Sequence, residues 1–118
     1  MTEEEKENLL EVKEWLEVHG PIPAVRVSSA KAKGKASKYS YWGAVRYRIV
    51  LSSDGYPQAK PCGCAGSDRR SLRLAFLDAE AMAKDCGGVV IESVGKLSDD
   101  DVHIAYRWVE ARWRGETT

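Results

Sequence analysis

The 118-residue sequence predicts an α+β fold: a single domain, residues 1–118, with an antiparallel sheet of three to four strands packed on one face by two to three helices. Three observations predict it. Apolar side chains recur at helical spacing over residues 3–19 and stop at Gly20-Pro21. Two alternating stretches, AVRVSSA and WGAVRYRIVL, flank the lysine-rich KAKGKASK. A second helical pattern over LRLAFLDAEAMAKDC ends at Gly87-Gly88 and leads into the short apolar VVIESV.

Each element has its own signals. Thr2 caps the first helix, and Glu5 three residues later completes a capping box. Glu3, Glu4 and Glu5 suit the positive end of the helix dipole. Leu9, Val12, Trp15, Leu16 and His19 fall on one stripe. In the first strand Val25 and Val27 are predicted to point inward, with Arg26 and Ser28 outward. The lysine-rich segment reads as a hairpin centred near Gly34. The second strand is predicted from Ser40 to Ser52, with Val45, Tyr47, Ile49 and Leu51 on one face and Trp42, Ala44, Arg46 and Arg48 on the other. Asp54-Gly55 marks a turn, and a short third strand is predicted around Gln58 to Cys62. Ser67 or Asp68 caps the second helix, whose predicted buried stripe is Leu72, Ala75, Phe76, Ala79, Met82, Ala83 and Cys86. Ser98 and the three aspartates after it open a last helix, although Ile104, Tyr106 and Trp108 also alternate as a strand would.

Net charge is zero, from 18 basic and 18 acidic residues, but the charge is unevenly spread. Residues 1–17 hold seven glutamates against Lys6 and Lys13. The 36 residues from Val18 to Ser53 hold no acid, and they include Arg26, Lys31, Lys33, Lys35, Lys38, Arg46 and Arg48. A local basic field of this kind attracts polyanions whatever the mean charge. The chain has no apolar run of about 18 residues and no signal-like leader. Its three cysteines are an odd number, and together these features predict a cytoplasmic protein with free thiols and no membrane association.

If both strands turn their valines into one core, Arg26, Trp42, Arg46 and Arg48 share the opposite face, continuous with the hairpin lysines. Arginine meets phosphate and tryptophan stacks on a base, so such a face suits nucleic acid. A protein partner or water alone could meet it as well. Arg69 and Arg70, at a predicted helix start, add a further phosphate contact.

Catalytic and cofactor chemistry finds no motif. PCGCAG has C-x-C spacing, not the C-x-x-C of zinc or thioredoxin-type sites, and Cys86 falls on a core stripe. A position before a helix start, near Arg69 and Arg70, would lower the pKa of Cys62 and Cys64. His19 and His103 read as element boundaries. Asp99, Asp100 and Asp101 read as helix-start charges. The sequence therefore predicts no catalytic residues, no metal and no cofactor.

The segments LLEVKEW, IPAVRV, VRYRIVL and GSDRRSLRLAF occur in an order that resembles a double-stranded-RNA-binding domain. The resemblance implies that Arg69, Arg70 and Arg73 stand where that family opens its last helix onto phosphates. The family's lysine pair and hairpin histidine are absent. SSDGYP followed by LDAEAMAKDCGG is similar in style to small phage and mobile-element proteins, including arm-type DNA-binding domains of integrases and small anti-CRISPR inhibitors. The reading that unites these features is a non-enzymatic module that binds DNA, RNA or a nucleoprotein complex through its basic strand face. The alternative is a phage-encoded anti-defence inhibitor that binds a single host protein.

Overall fold

The strand Ile22–Ala30, β1, is interior to the sheet, and its neighbours follow from how the chain returns to it. The computed structural model describes residues 2–30, 41–66, 68–95 and 97–113, without the side chains of Ala30 and residues 63–65. The elements run α1 (Glu3–His19), β1, β2 (Tyr41–Leu51), β3 (Pro57–Ala65), α2 (Leu72–Cys86), β4 (Val89–Val94), a 3-10 helix (Asp99–Ala105) and α3 (Tyr106–Trp113). The four strands form one mostly antiparallel sheet in the order β3-β2-β1-β4. The α+β class is therefore as the sequence predicts. The exception to the antiparallel pattern is β4, which pairs parallel to β1. Its direction follows from connectivity. α2 carries the chain back along the sheet, so the next strand repeats the direction of β3 and β1.

The chain forms two compact units. One comprises Met1–Ile22, Arg48–Lys60 and Leu97–Thr118; the other comprises Pro23–Tyr47 and Pro61–Lys96.

In the first unit the capping box forms as predicted. Thr2 Oγ1 accepts the Glu5 N–H at 3.1 Å, and Glu5 Oε1 accepts the Thr2 N–H at 3.1 Å. The core comprises Val12, Leu16, Ile22, Ile49, Val102, Ala105 and Val109, all buried. α1 packs against the 3-10 helix and α3. Residues 99–113 are thus helical, because Val102, Ala105 and Val109 bury one stripe at helical spacing. Ser98 donates to the Asp101 carboxylate at 3.0 Å and so fixes the start of that helix.

In the second unit α2 lies on the β1 and β2 side chains Val25, Val27 and Ala44 through Ala75, Ala79 and Ala83. Trp42, Phe76, Met82 and Val90 pack around that cluster. Alanines at i, i+4 and i+8 keep the buried side of the helix flat and small. Ser71, not Ser67 or Asp68, is the N-cap; its Oγ accepts the Leu74 N–H at 3.4 Å. Ser67 lies outside the described residues. Gly87 ends the helix in the left-handed region at φ +68°. At Gly88 a Cβ would sit 2.7 Å from the carbonyl carbon of Pro23, so only glycine allows this approach.

β1 is buried on both faces: Ala24 and Arg26 on one, Val25 and Val27 on the other. The outer edge of β3 is also protected. Ser52 N–H donates to the Tyr56 carbonyl and Gly66 N–H to the Ala44 carbonyl, one bond just before β3 and one just after it. Pro57 and Pro61 offer no N–H, and the Ala59 N–H donates to Asp99 Oδ1 at 3.0 Å. These are recognised ways of blunting an edge strand.

Candidate functional site

Arg26 does not lie on the predicted basic strand face. Val25 and Val27 cluster with Trp42 and Ala44, so the valines of β1 share a face with the Trp42–Arg46–Arg48 series of β2. By alternation Arg26 points to the other side. It is 6% exposed, and its Nε donates to the Ser93 carbonyl at 3.1 Å while Nη2 donates to Ser93 Oγ. The β1/β4 register explains how Ser93 reaches it. Arg26 pairs with Ile91 but Val27 pairs with Val94, so Glu92 and Ser93 bulge out beside the guanidinium. Arg26 is a structural residue, not a phosphate contact.

Trp42 is part-buried against the α2 cluster and is not an open stacking platform. Its backbone forms a two-bond antiparallel bridge with Arg69, at 2.8 and 2.7 Å. The Arg69 side chain is engaged by Asp78, with Nε to Oδ2 at 2.8 Å and Nη2 to Oδ1 at 3.2 Å. The hydrogen bonds from Arg69 hold the Asp78 carboxyl below its ordinary pKa, and the carboxylate raises that of Arg69. Arg69 thus precedes the helix and is paired, where the sequence reading placed it at the helix start facing phosphate. Arg70 is exposed. Arg48 is exposed, and Arg46 is half-buried with its Nε unpartnered among the described residues. Lys31, Lys33, Lys35 and Lys38 lie outside the described residues.

The other chemistry-bearing groups have separate local roles. Cys62 is a free, exposed thiol on β3 and does not sit directly before a helix start. The Cys64 side chain lies outside the described residues. Cys86 Sγ donates to the Ala83 carbonyl at 3.6 Å. Among the described residues no group of three His, Cys, Asp or Glu side chains could hold a metal ion, and no helix is long and apolar enough to cross a membrane.

His103 Nε2 lies 2.9 Å from Glu5 Oε2. The Thr2 backbone and hydroxyl, with a smaller contribution from His103, hold Glu5 below its ordinary pKa. His19 stacks on Trp15 at 3.9 Å, and Trp113 meets both rings edge-on at 5.0 and 5.2 Å. Arg112 lies 3.7 Å over the Trp108 ring, where burial lowers its pKa. These aromatic contacts join α1 to α3.

The surface that does stand out is the far side of α2. Leu74 and Leu77 are 47% and 49% exposed. With Ala81 they lie at i, i+3 and i+7, opposite the buried stripe Ala75–Ala79–Ala83. Alanines line the centre of the buried side, with Phe76 and Met82 packed beside them, while Leu74 and Leu77 face outward. Arg73 and Lys84 flank the stripe on one side, with Glu80 beyond them; Asp78 and Asp85 flank it on the other. On the acidic side opens a shallow cavity of about 260 Å³, lined by Gly66, Arg69, Asp78, Ala81, Met82 and Asp85. The sequence reading missed this surface. Its signal was present, because assigning the alanines to the core leaves Leu74 and Leu77 with nowhere to go but outward.

No protein-family model, no curated protein and no solved structure matches the chain.

Proposed function

We propose that this chain is a non-enzymatic binding module that docks a protein partner on the outward side of α2, as an adaptor or an inhibitor of the anti-defence kind would. One observation carries the reading: α2 turns Leu74 and Leu77 away from the core it packs on. Each half-exposed leucine forgoes roughly 1 kcal/mol of burial, which docking would recover. Isolated exposed apolar side chains are ordinary on a surface, but a stripe at helical spacing flanked by charge has the form of a helix-face interface. The test is capture of a partner from the cells that encode the chain, followed by titration of the purified partner. Leu74→Glu with Leu77→Glu should weaken binding by at least about 30-fold, corresponding to roughly 2 kcal/mol. Arg46→Glu with Arg48→Glu should leave it nearly unchanged. The reverse pattern refutes the reading.

A second reading, nucleic-acid binding, is favoured by exposed Arg48 and by the unpartnered Nε of Arg46. It would draw on Arg70, Arg73 and the lysines at 31, 33, 35 and 38. It requires retention of DNA or RNA in low-salt gel shifts, with each phosphate contact adding roughly 0.7–0.9 to the log–log salt slope.

A further inference from the structure

The cavity beside the leucine stripe indicates what the partner must carry. We infer that it is a seat for one cationic side chain, lysine or arginine, presented next to the apolar residues that cover Leu74 and Leu77. The inference rests on the docking reading above and deepens it.

The charge count comes first. Of the three ionisable groups lining the cavity, Arg69 and Asp78 pair with each other through two hydrogen bonds. That leaves the exposed Asp85, which has no partner among the described residues, so the described lining residues carry one net negative charge.

Position comes second. Asp85 is one helical turn beyond Ala81, the last member of the apolar stripe. Any partner that covers Leu77 and Ala81 takes water away from the Asp85 carboxylate. A carboxylate desolvated without a counter-charge is strongly unfavourable, so a neutral or acidic partner would be penalised at this point.

Shape comes third. Gly66, Ala81 and Met82 give the cavity small and apolar walls. Lysine and arginine lay an aliphatic stem along such walls and keep the charged head at the rim, where Asp85 stands. The other flank of α2, Arg73 and Lys84, presents long side chains at the opposite border of the stripe. Contacts there can stay hydrated and do not dictate the partner's charge in the same way.

The probe is acetyl-Leu-Arg-amide, titrated at millimolar concentrations into the full chain labelled with nitrogen-15. Acetyl-Leu-citrulline-amide, which has the same shape without the charge, is the control. The amides of Gly66, Ala81, Met82 and Asp85 should shift and saturate with the arginine probe and should shift several-fold less with the citrulline probe. Asp85→Asn, whose side chain is exposed and not needed for folding, should abolish the difference between the two probes. Arg48→Glu should leave it intact.

Equal shifts from both probes, or a response that survives Asp85→Asn, would overturn the inference. Sedimentation that shows a dimer dispersed by Leu77→Glu would assign the face to a second copy and also overturn it. The two levels fail separately. If Leu74→Glu with Leu77→Glu abolishes partner binding but the probes do not differ, the docking reading stands and the cation seat falls. If the probes differ but those variants still bind the partner, the docking reading falls.

Discussion

Replacing Arg26 separates a structural arginine from a binding one. The side chain is 6% exposed and donates two hydrogen bonds to Ser93. In Arg26→Ala the Ser93 carbonyl loses a buried donor, at about 1–3 kcal/mol. The two methylenes beyond Cβ lose their packing, at about 0.8 kcal/mol each. Relief of the buried charge offsets part of this, leaving a net loss of about 3 kcal/mol. For a chain of this length that lowers Tm by roughly 12 °C, at roughly 4 °C per kcal/mol. Arg26→Met keeps the stem and removes the charge, so its loss should be nearer about 1 kcal/mol. Arg48→Ala, exposed on β2, should stay within about 0.5 kcal/mol of the wild type. The assay is thermal and urea denaturation followed by circular dichroism. An Arg26→Ala protein that melts with the wild type, and is impaired only in binding, would refute the assignment.

Three further outcomes follow from the geometry. Gly88→Ala drives a Cβ into the Pro23 carbonyl and should cost about 3 kcal/mol in the same denaturation assay, more than a typical surface substitution. Asp78 has its pKa lowered in the folded state, so its stabilisation is complete above about pH 4 and is lost as pH falls through the depressed value. The gap in urea midpoint between wild type and Asp78→Asn should therefore be open at neutral pH and narrow in acid; a gap constant with pH would contradict the pairing with Arg69. Asp99→Ala frees the Ala59 N–H and Pro61→Val adds an N–H to β3, so light scattering should show stronger concentration-dependent association than the wild type.

What the sequence made legible was the local order. The capping box at Thr2 and Glu5, the stop at Gly20, and the helix ending at Gly87 are written in neighbouring residues, and all form. The candidate site was misread because it depends on pairings that no local pattern encodes. Alternation identifies the two faces of β1 and of β2, but it does not reveal which face of one strand continues the face of the other. The registry that groups Val25 and Val27 with Trp42 put Arg26 on the opposite side. Arg26 also needed a bulge in β4, a strand more than sixty positions later, for Ser93 to meet it. The predicted third strand ends at Cys62, whereas β3 continues to Ala65 and takes in both cysteines of C-x-C, because an edge strand accepts Pro61 and Gly63. The α2 stripe is legible in the sequence, since Leu74 and Leu77 fall opposite the alanine face at helical spacing.

The most direct test of the docking account is the footprint of the captured partner on the labelled chain. Amide shifts and exchange protection on addition of the purified partner should concentrate at Leu74, Leu77, Ala81 and Asp85, with the Arg46–Arg48 segment of β2 unaffected. A footprint centred on Arg46 and Arg48 that leaves the outward side of α2 unprotected would contradict it.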